Sequence, residues 1–213
     1  MRIPSKEFAD VVIVDYGLGN LGSISNMLNH IGVSSLITSN HDDILSAKRL
    51  ILAGVGSFDH GMSMLKEKDL IGVIKTAAND TDVSILGVCL GMQLLFDGSE
   101  EGVTSGLSLL PGFSKKFPSQ NNGIPVTVPH MGWNKLIQKK QTPNLLKSYE
   151  NKRFYFVHSY YIDSVSATDV IYTATHGVDF SAIVSRGNVT GVQFHPEKSH
   201  RQGMEFLTDF VKA

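Results

Sequence analysis

The alternation of apolar and polar positions predicts strands and helices following one another in the first half of the chain. Val11-Val12-Ile13-Val14 is a β-branched run that stops at Tyr16-Gly17-Leu18-Gly19-Asn20, the pattern of a strand delivered into a glycine-rich loop. Leu21, Ile24, Leu28 and Ile31 then recur at helical spacing up to Gly32, which suits a C-cap, and Leu36-Ile37 opens the next apolar run. The unit repeats. Arg49 to Leu52 leads into Ala53-Gly54-Val55-Gly56, Met62 to Ala78 reads as helix, Ser84 to Val88 reads as a fully apolar strand, and Met92 to Phe96 reads as helix again. Repeated βαβ units predict an α/β fold with a mostly parallel central sheet flanked by helices.

The second half has a different rhythm. Val126-Thr127-Val128, Phe154 to Val157, Val170 to Thr173 and Ala182 to Ser185 are short and closely spaced, which predicts an additional antiparallel or mixed strand region. Met204, Leu207, Phe210 and Val211 have helical spacing and predict a closing amphipathic helix from Gly203 to Val211. Ser114 to Pro125 is polar, contains Pro and Gly, and reads as a surface loop.

Composition narrows the classes. A chain of 213 residues with 42% hydrophobic residues suits one domain over 1–213. A net charge of -1 and the absence of a Lys/Arg cluster interleaved with aromatics argue against nucleic acid as a partner. The apolar runs are strand length, and Met1 to Glu7 lacks the apolar core of a signal peptide, so a cytoplasmic protein with no membrane partner is expected. The single cysteine, Cys89, excludes an internal disulfide and is either a packing residue or a reactive thiol.

Its context favours the thiol. Gly87-Val88-Cys89-Leu90-Gly91 stands between an apolar strand and a helical run, the cysteine form of a nucleophile elbow. Such a turn brings backbones close enough to require glycine on both sides. It puts the sulfur at a helix N-terminus, where N–H groups favour thiolate and the Leu90 amide can face an oxyanion. Of eight histidines, His195 is the best candidate base: it follows an apolar strand, Pro196 holds it extended, and Glu197 can return to bond its ring. Gly54-Val55-Gly56 ends a neighbouring strand, either as an ordinary turn or as the second arm of an oxyanion hole. Gly17-Leu18-Gly19-Asn20 lacks the rest of a nucleotide-binding loop.

Together these blocks resemble the class I (triad) glutamine amidotransferases nearly end to end. The residues that carry the likeness are Asp15 to Leu21, Gly54 to Phe58, Gly87 to Gln93, Pro129-His130-Met131-Gly132-Trp133-Asn134, Tyr155 to Tyr160 and Gln193 to Ser199. The Pro-His-Met-Gly-Trp-Asn block narrows it to glutaminase subunits of imidazole glycerol phosphate synthases. The resemblance implies a Cys89, His195, Glu197 triad, with Gly54, Val55 and Leu90 at the oxyanion site. It also implies Gly56, Gln93, Glu101, Ser159 and Tyr160 around the glutamine substrate, and no metal or organic cofactor. The implied partner is a (β/α)8 cyclase, forming a heterodimer that uses the ammonia in histidine biosynthesis. Asn20, His130, Met131 and Trp133 are assigned to docking, the alternative being that Trp133 packs in the core.

Two departures matter. Ala53 stands where the family commonly has proline, and the segment is expected to be an edge turn that tolerates proline. The block Ser199 to Met204, with Gly191-Val192-Gln193, also looks like a paralogous branch paired with an ATP-using synthetase in surface-polysaccharide sugar modification. That branch shares the glutaminase chemistry but has a different acceptor. A non-enzymatic binding module of related fold is a third alternative, and it would have no use for Glu197 or Gln93.

Overall fold

A computed structural model of the chain describes residues 9–141, 145, 147–163 and 166–213. The start of the chain, Met1 to Glu7, read above for a signal peptide, lies outside the described residues. Four strands carry the first half: β1 (Val11–Val14), β2 (Ser35–Thr38), β3 (Arg49–Gly54) and β4 (Ser84–Cys89). They lie parallel in the order β2, β1, β3, β4. Val189–Val192 adds a parallel strand beside β4, and Val178–Arg186, Val170–His176 and Ile137–Gln138 continue the sheet antiparallel. The parallel half and the mixed half therefore meet next to the strand that carries Cys89.

Helices cover both faces: α1 (Leu21–His30), α2 (His41–Leu45), α3 (Phe58–Glu67), α4 (Leu70–Asn79), α5 (Leu90–Leu94) and α6 (His200–Lys212). Side chains alternate across a strand. Val11 and Ile13 accordingly join Ile24, Leu28, Phe206 and Phe210 on one side, while Val12 and Val14 join Phe58, Met62 and Ile74 on the other. Burial on both faces explains why β1 is apolar without alternation. β2 is the edge strand, and its Leu36 and Ile37 are exposed.

Several expectations need correction. Met62 to Ala78 is not one helix, because Asp69 takes a left-handed φ of 54° between α3 and α4. At that break Lys68 Nζ donates to the Asp15 carbonyl at 2.9 Å and pairs with its carboxylate at 3.5 Å, which fastens the loop after β1. Val126 to Val128 is not a strand. It lies between Pro125 and Pro129, each lacking the N–H a ladder needs, and is held by single bonds instead, the Val126 N–H donating to the Ser119 carbonyl at 2.9 Å and the Thr127 carbonyl accepting from His176 Nε2 at 2.7 Å. Ser114 to Pro125 is more than a loop: Phe113–Lys116 pairs with Tyr160–Asp163 and with Gly98–Ser99, and Gln120–Asn121 pairs with Ile124–Pro125. Ala53 is not at an edge turn either, since it lies in β3, between β1 and β4, opposite Val88. Among the described residues, no helix is long and apolar enough to cross a membrane.

Candidate active site

β4 ends on Cys89, whose backbone has φ 54° and ψ -110° before α5 begins at Leu90. A non-glycine residue held at positive φ stores strain and persists only where its surroundings fix it. They do so here. A methyl group on Gly91 would collide with the Leu52 carbonyl of β3, and one on Gly87 would come within 2.8 Å of both the Gly91 carbonyl and Met92 Cα. The glycine spacing is thus required by close backbone approach. The helix that follows starts and ends two residues earlier than the expected Met92 to Phe96, so Leu95 and Phe96 lie beyond it while staying buried.

His195 enters after the Val189–Val192 strand, and its backbone N–H bonds the Tyr155 carbonyl at 2.9 Å. Its Nδ1 is 2.7 Å from Glu197 Oε1, with both side chains buried. Burial disfavours the imidazolium, but interaction with Cys89 and Glu197, including their negative charges, outweighs it and lifts the pKa from 6.5 to about 10. Among the described residues, neither the buried His195 Nε2 nor Glu197 Oε2 closes a hydrogen bond. Catalytic pairs are commonly this loose before substrate tightens them. Ser199 Oγ donates to the His195 carbonyl at 2.6 Å and fixes the turn.

A cavity of about 420 Å³ opens over Cys89, lined by Val55, Gly56, Leu90, Gln93, Glu101 and the segment Val157 to Tyr160. The substrate-side residues expected from sequence, including Ser159 and Tyr160, therefore surround the sulfur. Glu101 Oε2 accepts from the Phe58 N–H at the start of α3 at 2.8 Å, so one of its oxygens is already engaged. Gln93 is more constrained than expected: its Nε2 donates to the Tyr160 carbonyl and to Gln193 Oε1, each at 3.1 Å. Gln193 Nε2 in turn points at Cys89 Sγ from 3.8 Å, and Sγ lies 3.9 Å from the Val157 carbonyl.

Gln193, wholly buried, is a site residue that motif reading passed over. The signal was its place two residues before His195, one strand alternation away. Gly54 pairs in register with Cys89 across β3 and β4, placing the Gly54-Val55 peptide beside the sulfur. A second, narrow cleft is lined by Gly19, Asn20, Gly54, Val55, His195 and Glu197.

The four residues assigned to docking separate. Asn20 is exposed and caps α1 through Ser23 N at 3.3 Å. Met131 and Trp133 share the outward side of His130–Lys135 at 63% and 38% exposure, with Trp133 stacked on His200 at 5.4 Å. His130 is a correction. Strand alternation turns it inward, where it stacks between Phe156 and His176 and sits 3.0 Å from His158, so it offers no side chain to a partner.

A strained thiol elbow, a buried histidine–carboxylate pair and a sheet of this order define a class. The family model for class-I glutamine amidotransferase matches residues 12–213, and the chain belongs to that family. Membership makes it a glutamine-hydrolysing enzyme, which removes the binding-module alternative. Among individual relatives, imidazole glycerol phosphate synthase subunit HisH 2 of Methanococcus maripaludis is 44% identical over 205 residues, covering 95% of this chain and 98% of that one. Subunit HisH of the same synthase from Geobacillus thermodenitrificans is 45% identical over 201 residues, 93% of each chain. Of the solved structures, a glutamine amidotransferase crystal structure aligns with a TM-score of 0.70 at 16% identity, over 95% of this chain and 99% of that chain. PurLQS from Thermotoga maritima aligns at 0.70 and 19% identity over 95% and 97% of the two chains, and both share the fold.

Proposed function

We propose that this chain is the glutaminase subunit of an imidazole glycerol phosphate synthase, with Cys89, His195 and Glu197 as its triad. The observation that carries the triad is the buried His195–Glu197 pair, which interacts with the thiol of the Cys89 elbow while Cys89 itself opens onto the cavity. The Cys89 thiolate attacks the side-chain carbonyl carbon of glutamine, and the oxygen takes up the negative charge facing the Val55 and Leu90 amides. His195 protonates the departing nitrogen, the carbonyl re-forms, and ammonia leaves a glutamyl thioester on Cys89. His195 then takes a proton from water as it attacks the thioester, releasing glutamate and restoring the thiol. Glu197 holds the ring through its Nδ1 and stabilises the imidazolium.

The relatives' names support assembly with the remainder of an imidazole glycerol phosphate synthase; the partner proposed there is a (β/α)8 cyclase that consumes the ammonia in histidine biosynthesis, and the proposed compartment is the cytoplasm. Asn20, Met131 and Trp133 are the exposed residues assigned to that interface. The test is glutamine hydrolysis by the purified chain alone, with the cyclase, and with the cyclase plus its acceptor analogue. Stimulation of at least about a hundredfold is expected, equivalent to about 2.7 kcal/mol of barrier, and Trp133→Ala should lose most of it with its fold intact. Stimulation only by an ATP-using synthetase would reassign the acceptor to the polysaccharide branch. Absence of glutamine hydrolysis in every combination would sink the glutaminase assignment itself.

A further inference from the structure

The Asp15-Tyr16-Gly17-Leu18-Gly19-Asn20 loop contributes no group to the chemistry above, yet it contains an unexplained atom. Tyr16 is wholly buried, and its hydroxyl has no hydrogen-bond partner among the described residues. A buried hydroxyl without a partner costs free energy, whereas phenylalanine would fill the same space without that cost. Burial and then the negative charge of Cys89 push its pKa above the ordinary 10, so the group stays a donor.

Its location points to a use. A Cβ built on Gly54 would overlap Tyr16 Oη, so the hydroxyl occupies the space of the missing side chain. From the same loop Gly19 packs on Gly54, a Cβ there coming within 3.0 Å of Gly54 Cα. Lys68 anchors the loop through Asp15. The loop thus holds a donor against the residue that begins the oxyanion arm. That arm has room to turn: Val55 is 49% exposed, and Gly56, at φ 124°, has nothing within 4 Å of a built Cβ.

We infer that Tyr16 is a positioning residue for the Gly54-Val55 peptide, its hydroxyl donating to the Gly54 carbonyl when that peptide turns the Val55 N–H toward the oxyanion over Cys89. The inference rests on the glutaminase reading. In this structure the hydroxyl has no partner among the described residues, and the turned peptide would supply its acceptor, so the buried donor favours the productive orientation. The carbonyl and the N–H of one peptide point in opposite directions, so a donor on the core side of Gly54 presents the N–H on the cavity side.

The test is Tyr16→Phe in complex with the cyclase. The kcat for glutamine hydrolysis should fall about tenfold, equal to about 1.4 kcal/mol, with KM within about twofold because substrate binding is untouched. Inhibition by glutamate γ-semialdehyde should weaken by about the same factor as kcat, since addition of the Cys89 thiol to its carbonyl creates an alkoxide that needs the same amide. The melting temperature should hold or rise, and alkylation of Cys89 by iodoacetamide, which creates no oxyanion, should proceed at the wild-type rate. Unchanged kcat and inhibition would overturn the inference, as would a raised rate without the cyclase, which would show Tyr16 favouring the idle orientation. A lowered melting temperature with a parallel loss of alkylation would also overturn it, by showing a packing role. Wild type that hydrolyses no glutamine would remove the glutaminase reading and leave the Tyr16 comparison without a baseline, a distinguishable outcome.

Discussion

The ends of β3 and β4 lie side by side, yet they are built to opposite specifications. At the end of β4 the chain has no freedom: Gly87 and Gly91 are pressed against neighbouring backbone, and Cys89 is held at positive φ between them. At the end of β3 the tightness stops at Gly54, because Val55 is half exposed and Gly56 faces open space. Packed interiors shift between discrete arrangements, while an open, glycine-bounded peptide can rotate at modest cost. The difference assigns readiness to one strand end and control to the other. On the proposed reading, the nucleophile is set by the fold and the oxyanion donor is the part a partner would switch.

Removing the set chemistry should produce the largest effect. Cys89→Ala and His195→Ala should each lower glutamine hydrolysis by about 10⁶-fold, because triad members act as a unit. Glu197→Gln should lose about 10⁴-fold, since it orients the base without taking the proton. The same complexes supplied with ammonium should retain the cyclase reaction, and appreciable glutaminase activity in Cys89→Ala would contradict the assignment. The two strand ends can then be compared directly. Gly91→Ala forces a methyl onto the Leu52 carbonyl, and a loss of about 3 kcal/mol or more is expected in denaturant unfolding. Gly56→Ala meets only the strain of its φ of 124°, about 1–3 kcal/mol, and its loss should be mainly in stimulated kcat. A reversed ranking in stability would break the comparison.

The buried histidines at and behind the cavity, His158 and His130, give a pH test. Burial, followed by the charge of His176, pushes His130 from 6.5 down to about 4. Burial also pushes His158 down to about 3, assisted by the charges of His130, His176 and His195 and opposed by its bond to the Tyr160 carbonyl. Both residues are neutral in the folded state and gain protons on unfolding, so stability is complete above about pH 6.5 and declines as pH falls toward about 4. The raised His195 has the opposite sign: its contribution is complete below 6.5 and is lost as pH rises through about 10. Urea midpoints should therefore fall between pH 7 and 4.5, and His158→Asn should flatten that limb; equal slopes would remove the pair as its cause.

Much of this was legible from local pattern. The runs ending at Tyr16, Ala53 and Cys89 are strands because both faces are buried, and the Gly-x-Cys-x-Gly spacing anticipates contacts that the backbone does make. The Pro196 and Glu197 pattern likewise anticipates the 2.7 Å contact to His195. What local pattern missed depends on distant partners. Phe113–Lys116 looks like loop because its pairing with Tyr160–Asp163 is far off in the chain. His130 was assigned to the surface because a histidine beside Met131 and Trp133 reads as an interface cluster, and only strand phase shows which of the three turns inward. Tyr16 carries no short-range signal and Gln193 only its spacing from His195, since their meaning comes from the Gly54 peptide and the sulfur that the sheet brings to them.

The most direct test of a fixed nucleophile beside a switchable oxyanion arm is to measure two reactions of Cys89 on one preparation, with and without the cyclase and its acceptor analogue. Alkylation by iodoacetamide needs the thiolate alone, whereas glutamine hydrolysis also needs the oxyanion donor. The expected result is an alkylation rate unchanged within about twofold while hydrolysis rises at least about a hundredfold. A parallel rise in both would contradict the account, because it would mean that the partner activates the thiol rather than the Gly54-Val55 peptide.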